Sequence, residues 1–439
     1  MKTLRLLPLA LALSSALALP AQAQSLLDLY QSAKGFDANY QSAKSLFDAN
    51  VAKGEQAKAG LLPSVGLAAG INRANVDSNI PSFETSFGNQ SAAVNASQPL
   101  YRPANVATAK QGEKQAELAQ AQLTAAGQDL IVRVSQAYFD VLGAQDNLNF
   151  IHAQKAAVAE QLASAKRNFE VGTATITDTR EAQAQYDLVL AQEIAADNDL
   201  HVKKITLDQV TGQSGSAPKP LLTPVNLPLL SPTDASAWVS QSEEVSPTIV
   251  QAQLALDIAK LQTRIAQAGG KPTLDLVGSY AVTQNNGSSN TTLDYRTNVT
   301  SVGLNFNLPL FAGYAIQNQI KQAVALEEKS RADLDAAKRG VALATRSAFF
   351  GVQSGLSQVK ALEAAEASGQ SALDATKLGY QVGVRINIDV LNSQSNLYNT
   401  KANLAKARYD VLMGNLKLRQ ANGSLQEGDL NTVNALLAK

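Results

Sequence analysis

The run Ser301-Val302-Gly303-Leu304-Asn305-Phe306-Asn307-Leu308 alternates small or polar residues with apolar ones at every step. In a strand, that period puts Val302, Leu304, Phe306 and Leu308 on one face and Ser301, Gly303, Asn305 and Asn307 on the other, the pattern of a wall between lipid and water. Leu274, Leu276, Gly278, Tyr280 and Val282 form a companion row. Earlier in the chain Val65, Leu67, Ala69 and Ile71 make another, and Ala92, Val94 and Ala96 a weaker one. The segments between partners, Asn72 to Gln90 and Gln284 to Arg296, are rich in Asn, Ser, Gly and Asp and are expected as surface loops. Tyr101 and Phe311, one position beyond Leu100 and Leu310, suit a belt of aromatics at a membrane edge. A half-buried sheet of a soluble protein is the other reading of these rows.

The beginning of the chain bears on that choice. Met1-Lys2-Thr3-Leu4-Arg5 is basic, Leu6 to Leu19 is almost wholly apolar, and Ala21-Gln22-Ala23 has the small-x-small form of a signal-peptidase site. The apolar run is shorter than the roughly 20 residues of a spanning helix, so residues 1–23 are expected to be a signal peptide. No comparable apolar stretch follows, so a membrane crossed by the mature chain must be crossed by strands closed into a barrel. The sequence has no cysteine, which removes disulfides, thiolate metal sites, cysteine nucleophiles and a lipid-bearing cysteine. Basic and acidic residues balance at 37 each; the signal takes away Lys2 and Arg5 and no acid, and neither nucleic acid nor an anionic surface is implied as a partner.

Outward from the strands, the chain repeats itself at an offset of about 210 residues, too long for a solenoid of short units. Pro63 answers Pro272 and Pro99 answers Pro309. Ser135-Gln136-Ala137-Tyr138-Phe139-Asp140-Val141 lines up with Arg346-Ser347-Ala348-Phe349-Phe350-Gly351-Val352, and Leu162, Lys166, Val171, Gly172, Asp178 and Gly212 with Leu373, Lys377, Val382, Gly383, Asp389 and Gly423. We divide the chain into a signal (1–23), a first repeat (24–211), a proline-rich connector (212–236), a second repeat (237–423) and a tail (424–439). Pro218, Pro220, Pro224, Pro228 and Pro232 keep the connector out of a helix. Each repeat reads as helix, strand, polar loop, strand, very long helix, tight turn, helix.

The helices carry a heptad. Leu148, Ile151, Lys155, Val158, Leu162, Ala165 and Phe169 follow 3-4 spacing, as do their counterparts Val359, Leu362, Glu366, Gly369, Leu373, Thr376 and Tyr380. Val390, Leu397, Leu404, Val411 and Leu418 recur every seventh residue. The span from Ala312 to Gln381 would make one helix on the order of 100 Å. Two such hairpins cannot bury both faces within one chain, and four strands cannot close a barrel whose minimum is about eight. Copies of the chain must therefore associate, in a number the residues leave open.

Gly379-Tyr380-Gln381-Val382-Gly383-Val384-Arg385-Ile386-Asn387-Ile388-Asp389-Val390-Leu391, continuing through Leu397-Tyr398-Asn399 and Ala407-Arg408-Tyr409, closely resembles the last helical hairpin of the TolC family. Phe169-Glu170-Val171-Gly172-Thr173-Ala174-Thr175-Ile176-Thr177-Asp178, with Ala184-Gln185-Tyr186-Asp187, resembles its counterpart. The likeness covers essentially the whole mature chain. It implies an α+β membrane protein: a homotrimer whose twelve-stranded β-barrel takes four strands from each chain, continuous with a long coiled-coil tunnel and a mixed α/β equatorial belt that includes connector and tail. It further implies an outer-membrane exit duct of a Gram-negative bacterium, extending into the periplasm. The duct would dock through a periplasmic membrane-fusion adaptor to an inner-membrane pump of ABC, RND or MFS type, for drug efflux and type I secretion.

By the same resemblance, Val171-Gly172-Thr173 and Val382-Gly383-Val384 form the adaptor-docking tips. Thr177, Asp178, Tyr380 and Arg385 hold the inner hairpin closed, with Tyr380 and Arg385 offering donors to the carboxylate of Asp178. Asp389 would line the constriction as an acidic ring. One turn on stands Asn392 where the family pattern has a second aspartate, so the doubled acidic ring is not expected. As ordinary surface features, these are turn glycines and solvated charges.

Catalysis has no support in the sequence. His152 and His201 lack partners at metal spacing, Glu327-Glu328 sits on a charged helix face, and neither a phosphate-binding glycine loop nor a nucleophile elbow is present. No cofactor or metal is expected. Two non-channel readings remain: a periplasmic coiled-coil adaptor, against which the four amphipathic strands argue, and a trimeric adhesin, whose membrane anchor would be C-terminal where this tail from Ser424 to Lys439 shows no strands.

Overall fold

The computed structural model describes residues 24–438 apart from 81, 223, 289 and 290; the expected signal peptide lies outside the described residues. The first half runs α1 (Leu26–Phe36), α2 (Ala38–Ala59), β1 (Ser64–Asn79), β2 (Ser82–Tyr101), α3 (Pro103–Glu170) and α4 (Ile176–Thr211). The second runs α5 (Ala235–Val245), α6 (Pro247–Ala268), β3 (Thr273–Ser288), β4 (Thr291–Asn307), α7 (Ala315–Gln381) and α8 (Asn387–Asn422), followed by the short α9 (Asp429–Asn434). Pro103 and Pro247 open their helices, where a missing N–H costs nothing. α3 and α7 are continuous over 68 and 67 residues. Among the described residues no helix is long and apolar enough to cross a membrane.

The chain divides into two compact units, and each draws on both halves of the sequence. One comprises 44–122 and 249–337 and contains the strands. They form a single antiparallel sheet in the order β1-β2-β3-β4, so among the described residues the outer edges of β1 and β4 have no strand partner. Directly paired residues point to the same face. Val65↔Ala96, Leu67↔Val94 and Ala69↔Ala92 continue through Val94↔Tyr280, Ala92↔Val282, Leu276↔Leu304 and Gly278↔Val302, which unites the four apolar rows on one face. Leu67, Ile71, Val302, Leu304 and Phe306 on it are exposed in the single chain. The opposite face carries Ser97, Asn95, Ser279, Ser301 and Asn305.

The polar segments expected as loops are strand. Asn72↔Asn89 through Asn79↔Ser82 continue the first hairpin to its tip, and Gln284↔Arg296 and Asn285↔Tyr295 do the same for the second. Asn and Ser disfavour strands only weakly, and antiparallel pairing within each hairpin satisfies the backbone groups that face the partner strand. At the other end of the sheet, Arg102 Nε and Nη2 donate to the buried Asp275 Oδ1 and Oδ2 at 2.7 and 2.6 Å. Tyr101 and Phe311, the belt candidates, are exposed there, and Phe311 stacks edge-on to Tyr314.

The other unit, whose described residues fall within 24–43, 123–248 and 338–438, holds the main apolar core. Leu26, Leu29 and Tyr30 of α1 pack with Leu130, Val134, Tyr138 and Phe139 of α3, Leu207 of α4, and Tyr409, Leu412 and Leu416 of α8. The repeated aromatic pair keeps its shape: Tyr138–Phe139 and Phe349–Phe350 are both edge-to-face, at 5.6 and 5.5 Å. Phe349 joins a second cluster with Trp238, Val352 and Leu418. The described residues of the connector are free of helix as far as Asp234, which caps α5, so the helix begins two residues before the expected boundary at 237; a parallel bridge ties Pro218 to Gln24, and an antiparallel one ties Leu221 to Leu437 of the tail.

Candidate functional site

The α3/α4 and α7/α8 hairpins of this second unit end in two turns built alike. In the first, Gly172 has φ +77° and donates to Phe169 O, while Thr173 N–H reaches Asn168 O at 2.8 Å. In the second, Gly383 has φ +80° and donates to Tyr380 O, while Val384 N–H reaches Gly379 O at 2.9 Å. Both are Schellman closures, which satisfy the last carbonyls of a helix and need a residue with positive φ after it. Val171, Gly172, Thr173, Val382, Gly383 and Val384 are all exposed. A Cβ at Gly379 would lie 2.8 Å from Arg385 Cγ, so glycine there lets the Arg385 side chain fold over the turn.

Each hairpin has its own seam. Val158, Leu162 and Ala165 of α3 pack with Ala182 and Val189 of α4; Leu373 of α7 packs with Val390 and Leu397 of α8, and Val359 with Leu404. The polar heptad positions face ions across the seam: Lys155 pairs with Glu193, and its counterpart Glu366 with Lys401 at 3.9 Å. Glu193 also lies 3.1 Å from Nε2 of the exposed His152. The heptad stops short of the first tip, since Phe169 is exposed in the single chain.

The helices that leave the two turns begin differently. Thr175 caps α4 in a reciprocal box: its Oγ1 accepts from Asp178 N–H at 3.2 Å, and the Asp178 carboxylate accepts from Thr175 N–H at 2.9 Å and Thr175 Oγ1 at 2.7 Å. Ile386 occupies the same position before α8 and provides no side-chain cap. Asp389, the counterpart of Asp178, instead lies 3.6 Å from Arg385. Tyr380 Oη receives a long contact, 3.5 Å, from Asn168 Nδ2. Thr177 and Asn392 are exposed. Within one chain, then, Asp178 is engaged by Thr175 and Arg385 by Asp389, and among the described residues no ion pair joins Arg385 to Asp178.

Asn387 is a residue the sequence patterns pass over. It is fully buried, accepts at Oδ1 from Gln161 Nε2 of α3, and donates from Nδ2 to Asp178 O of α4 at 3.3 Å. Thr175-x-x-Asp178 is a legible capping signature, whereas an asparagine at the start of α8 has no local mark of such a role. Further along the α3–α8 contact lie Gln154 Nε2 to Ser395 Oγ at 3.4 Å and Tyr409 Oη to Asp146 Oδ2 at 2.6 Å. Burial raises the Asp146 carboxyl above the usual carboxylate range, and the tyrosine bond offsets part of that rise.

A sheet with one apolar face and two edges unpaired among the described residues, on a chain of heptad-bearing helical hairpins, defines a membrane channel of the outer-membrane kind. The chain belongs to the outer membrane efflux protein family, whose sequence pattern matches residues 29–213 and again 238–424. It is 36% identical to the outer membrane protein TolC of Vibrio cholerae, over 94% of each chain. It is 31% identical to the alkaline protease secretion protein AprF of Pseudomonas aeruginosa, over 94% of this chain and 88% of that one. The crystal structure of the outer membrane protein VceC from Vibrio cholerae matches with a TM-score of 0.78 at 19% identity, over 91% of this chain and 96% of the other, a likeness of fold. The protein is therefore a TolC-family outer-membrane channel with the family's barrel-and-tunnel fold.

Proposed function

We propose that three copies of the chain form one exit duct. Docked through a periplasmic membrane-fusion adaptor to an inner-membrane pump of ABC, RND or MFS type, it exports drugs, other small molecules and type I secretion substrates. The observation that carries this reading is the four-stranded sheet with its continuous apolar face and two unpaired edges. Unpaired backbone at a sheet edge cannot remain in hydrocarbon, so the edges of neighbouring copies must close on each other. The family, one of outer membrane efflux proteins, and the relative AprF, an alkaline protease secretion protein, support the cargo.

The hairpin ends are the periplasmic mouth in this reading. Val171-Gly172-Thr173 and Val382-Gly383-Val384 present the adaptor-docking rim. Thr177, Asp178, Tyr380 and Arg385 make the gate links that hold the inner hairpin closed; in the single chain Arg385 lies 3.6 Å from Asp389. Asp389 lines the constriction, with Asn392 one helical turn on. Deleting the gene in its native organism and assaying drug sensitivity and secreted proteins together tests the duct; loss of one or both is expected. Unchanged behaviour in both, with no outer-membrane fractionation of the protein, overturns it.

A further inference from the structure

The start of α8 is held to the first hairpin by neutral groups. Asn387 is its first residue, and its amide reaches both helices of that hairpin, α3 through the Gln161 side chain and α4 through the main chain of Asp178. One turn on, Leu391 is 1% exposed and belongs to the apolar cluster of the first hairpin, with Val158, Leu162, Ala165, Ala182 and Val189. A further turn on, Ser395 accepts from Gln154. Positions 387, 391 and 395 lie on one helix face, so one face of α8 carries an amide, an apolar plug and a hydroxyl against the other hairpin.

We propose that Asn387 is a positioning residue of the gate, an uncharged clasp within each subunit that sets the closed position of the α7/α8 hairpin. This rests on the gated-duct reading. The clasp differs in kind from the charged links at Asp178 and Arg385. Its partner is the carbonyl of Asp178 and not the carboxylate, so it survives replacement of that side chain. It joins no charges, so salt does not screen it. If α8 moves away from α3, a buried donor and acceptor lose their partners together, which makes the clasp an all-or-none contact.

The test uses the full-length chain in planar bilayers, with heat-resistant trimers on gels as the check of folding. Asn387→Leu is expected to raise the open-to-closed ratio about tenfold, the factor of about 1.4 kcal/mol for one buried hydrogen-bonded group. The gain should be equal at low and high salt once scaled to the bulk conductivity. Gln161→Leu added to Asn387→Leu should contribute little more, as expected of two ends of one contact. Should Asn387→Leu fail to trimerise, Asn387→Asp serves: an anion facing the Asp178 carbonyl opens the mouth at neutral pH, and protonation restores the donor and recloses it. Asp178, Tyr380, Arg385 and Asp389 are titratable groups near the two turns, and wild-type records at both pH values remove their contribution. Folded Asn387→Leu trimers with wild-type closed conductance, or Asn387→Asp trimers closed at both pH values, overturn the clasp alone. Wild-type trimers already at the open level overturn the gate reading and the clasp with it.

Discussion

The two hairpin turns of one chain share a backbone and differ in how the next helix starts. Gly172 and Gly383 have almost the same φ, and the same two closing bonds lie behind each. After the first, Thr175 and Asp178 bind each other and fix the end of α4. After the second, Ile386 leaves α8 without a side-chain cap, and the acid at the matching position is released to Arg385. Duplication preserved the turn while the cap diverged. The first tip is thus locally self-sufficient, and the second depends on contacts beyond its own hairpin, Asn387 foremost.

The largest effect should fall on what the tips share. Open space surrounds a Cβ placed at Gly172 or Gly383, so an alanine there meets only the cost of a left-handed backbone, about 1–2 kcal/mol. Gly172→Ala and Gly383→Ala should speed hydrogen exchange at Thr173 and Val384 respectively, by similar factors. Unequal losses would break the claim that the turns are equivalent.

Next come the caps. Thr175→Ala should cost about 1 kcal/mol at the start of α4, whereas Ile386→Ala should leave the start of α8 within a few tenths by the same exchange measurement. The converse change, Ile386→Thr, offers Asp389 a capping partner. It should slow exchange in the first turn of α8 and draw the carboxylate away from Arg385. If Thr175→Ala and Ile386→Ala cost the same, the contrast between the tips is one of sequence only.

A smaller change is expected at Asp389 and Asn392, the constriction proposed above. Asn392 leaves one carboxylate per chain where two could act together, so multivalent cations should block the wild-type pore weakly and Asn392→Asp should strengthen the block. Equal block in the two, recorded in bilayers, would show that Asp389 alone sets the field.

How much of this was legible follows from range. Gly172 and Gly383 could be read because a turn between heptad helices needs positive φ, and the strand rows because period two survives in any register. Asn72 to Gln90 reads as loop because its composition is that of turns; only the pairing of Asn72 with Asn89 shows that the strand runs on. Phe169 fits the heptad in spacing, yet the seam ends before it. Asn387 could not be read at all, because its partners are 226 and 209 residues away. The tilt of each tip toward self-sufficiency or dependence is thus half local and readable, half tertiary.

The smallest effect on a single chain should come from Arg385. Its pair with the half-buried Asp389 is 3.6 Å long and open to solvent on the arginine side, where salt screens it, and is worth about 0–1 kcal/mol. Its order is also unfavourable: the cation stands at the N-terminal end of α8, where the helix dipole prefers an anion and where Asp389 is the better placed of the two. Arg385→Ala should therefore leave exchange at the start of α8 within a few tenths of a kcal/mol, at low salt and at high. A residue that contributes so little to its own helix is free to bind elsewhere, and in the assembled trimer the same change should raise conductance at low salt. A loss above about 1 kcal/mol in the tip itself would place Arg385 among the residues that build the hairpin. The charged half of the gate would then be a contact within the chain, and the two tips would differ less than their caps suggest.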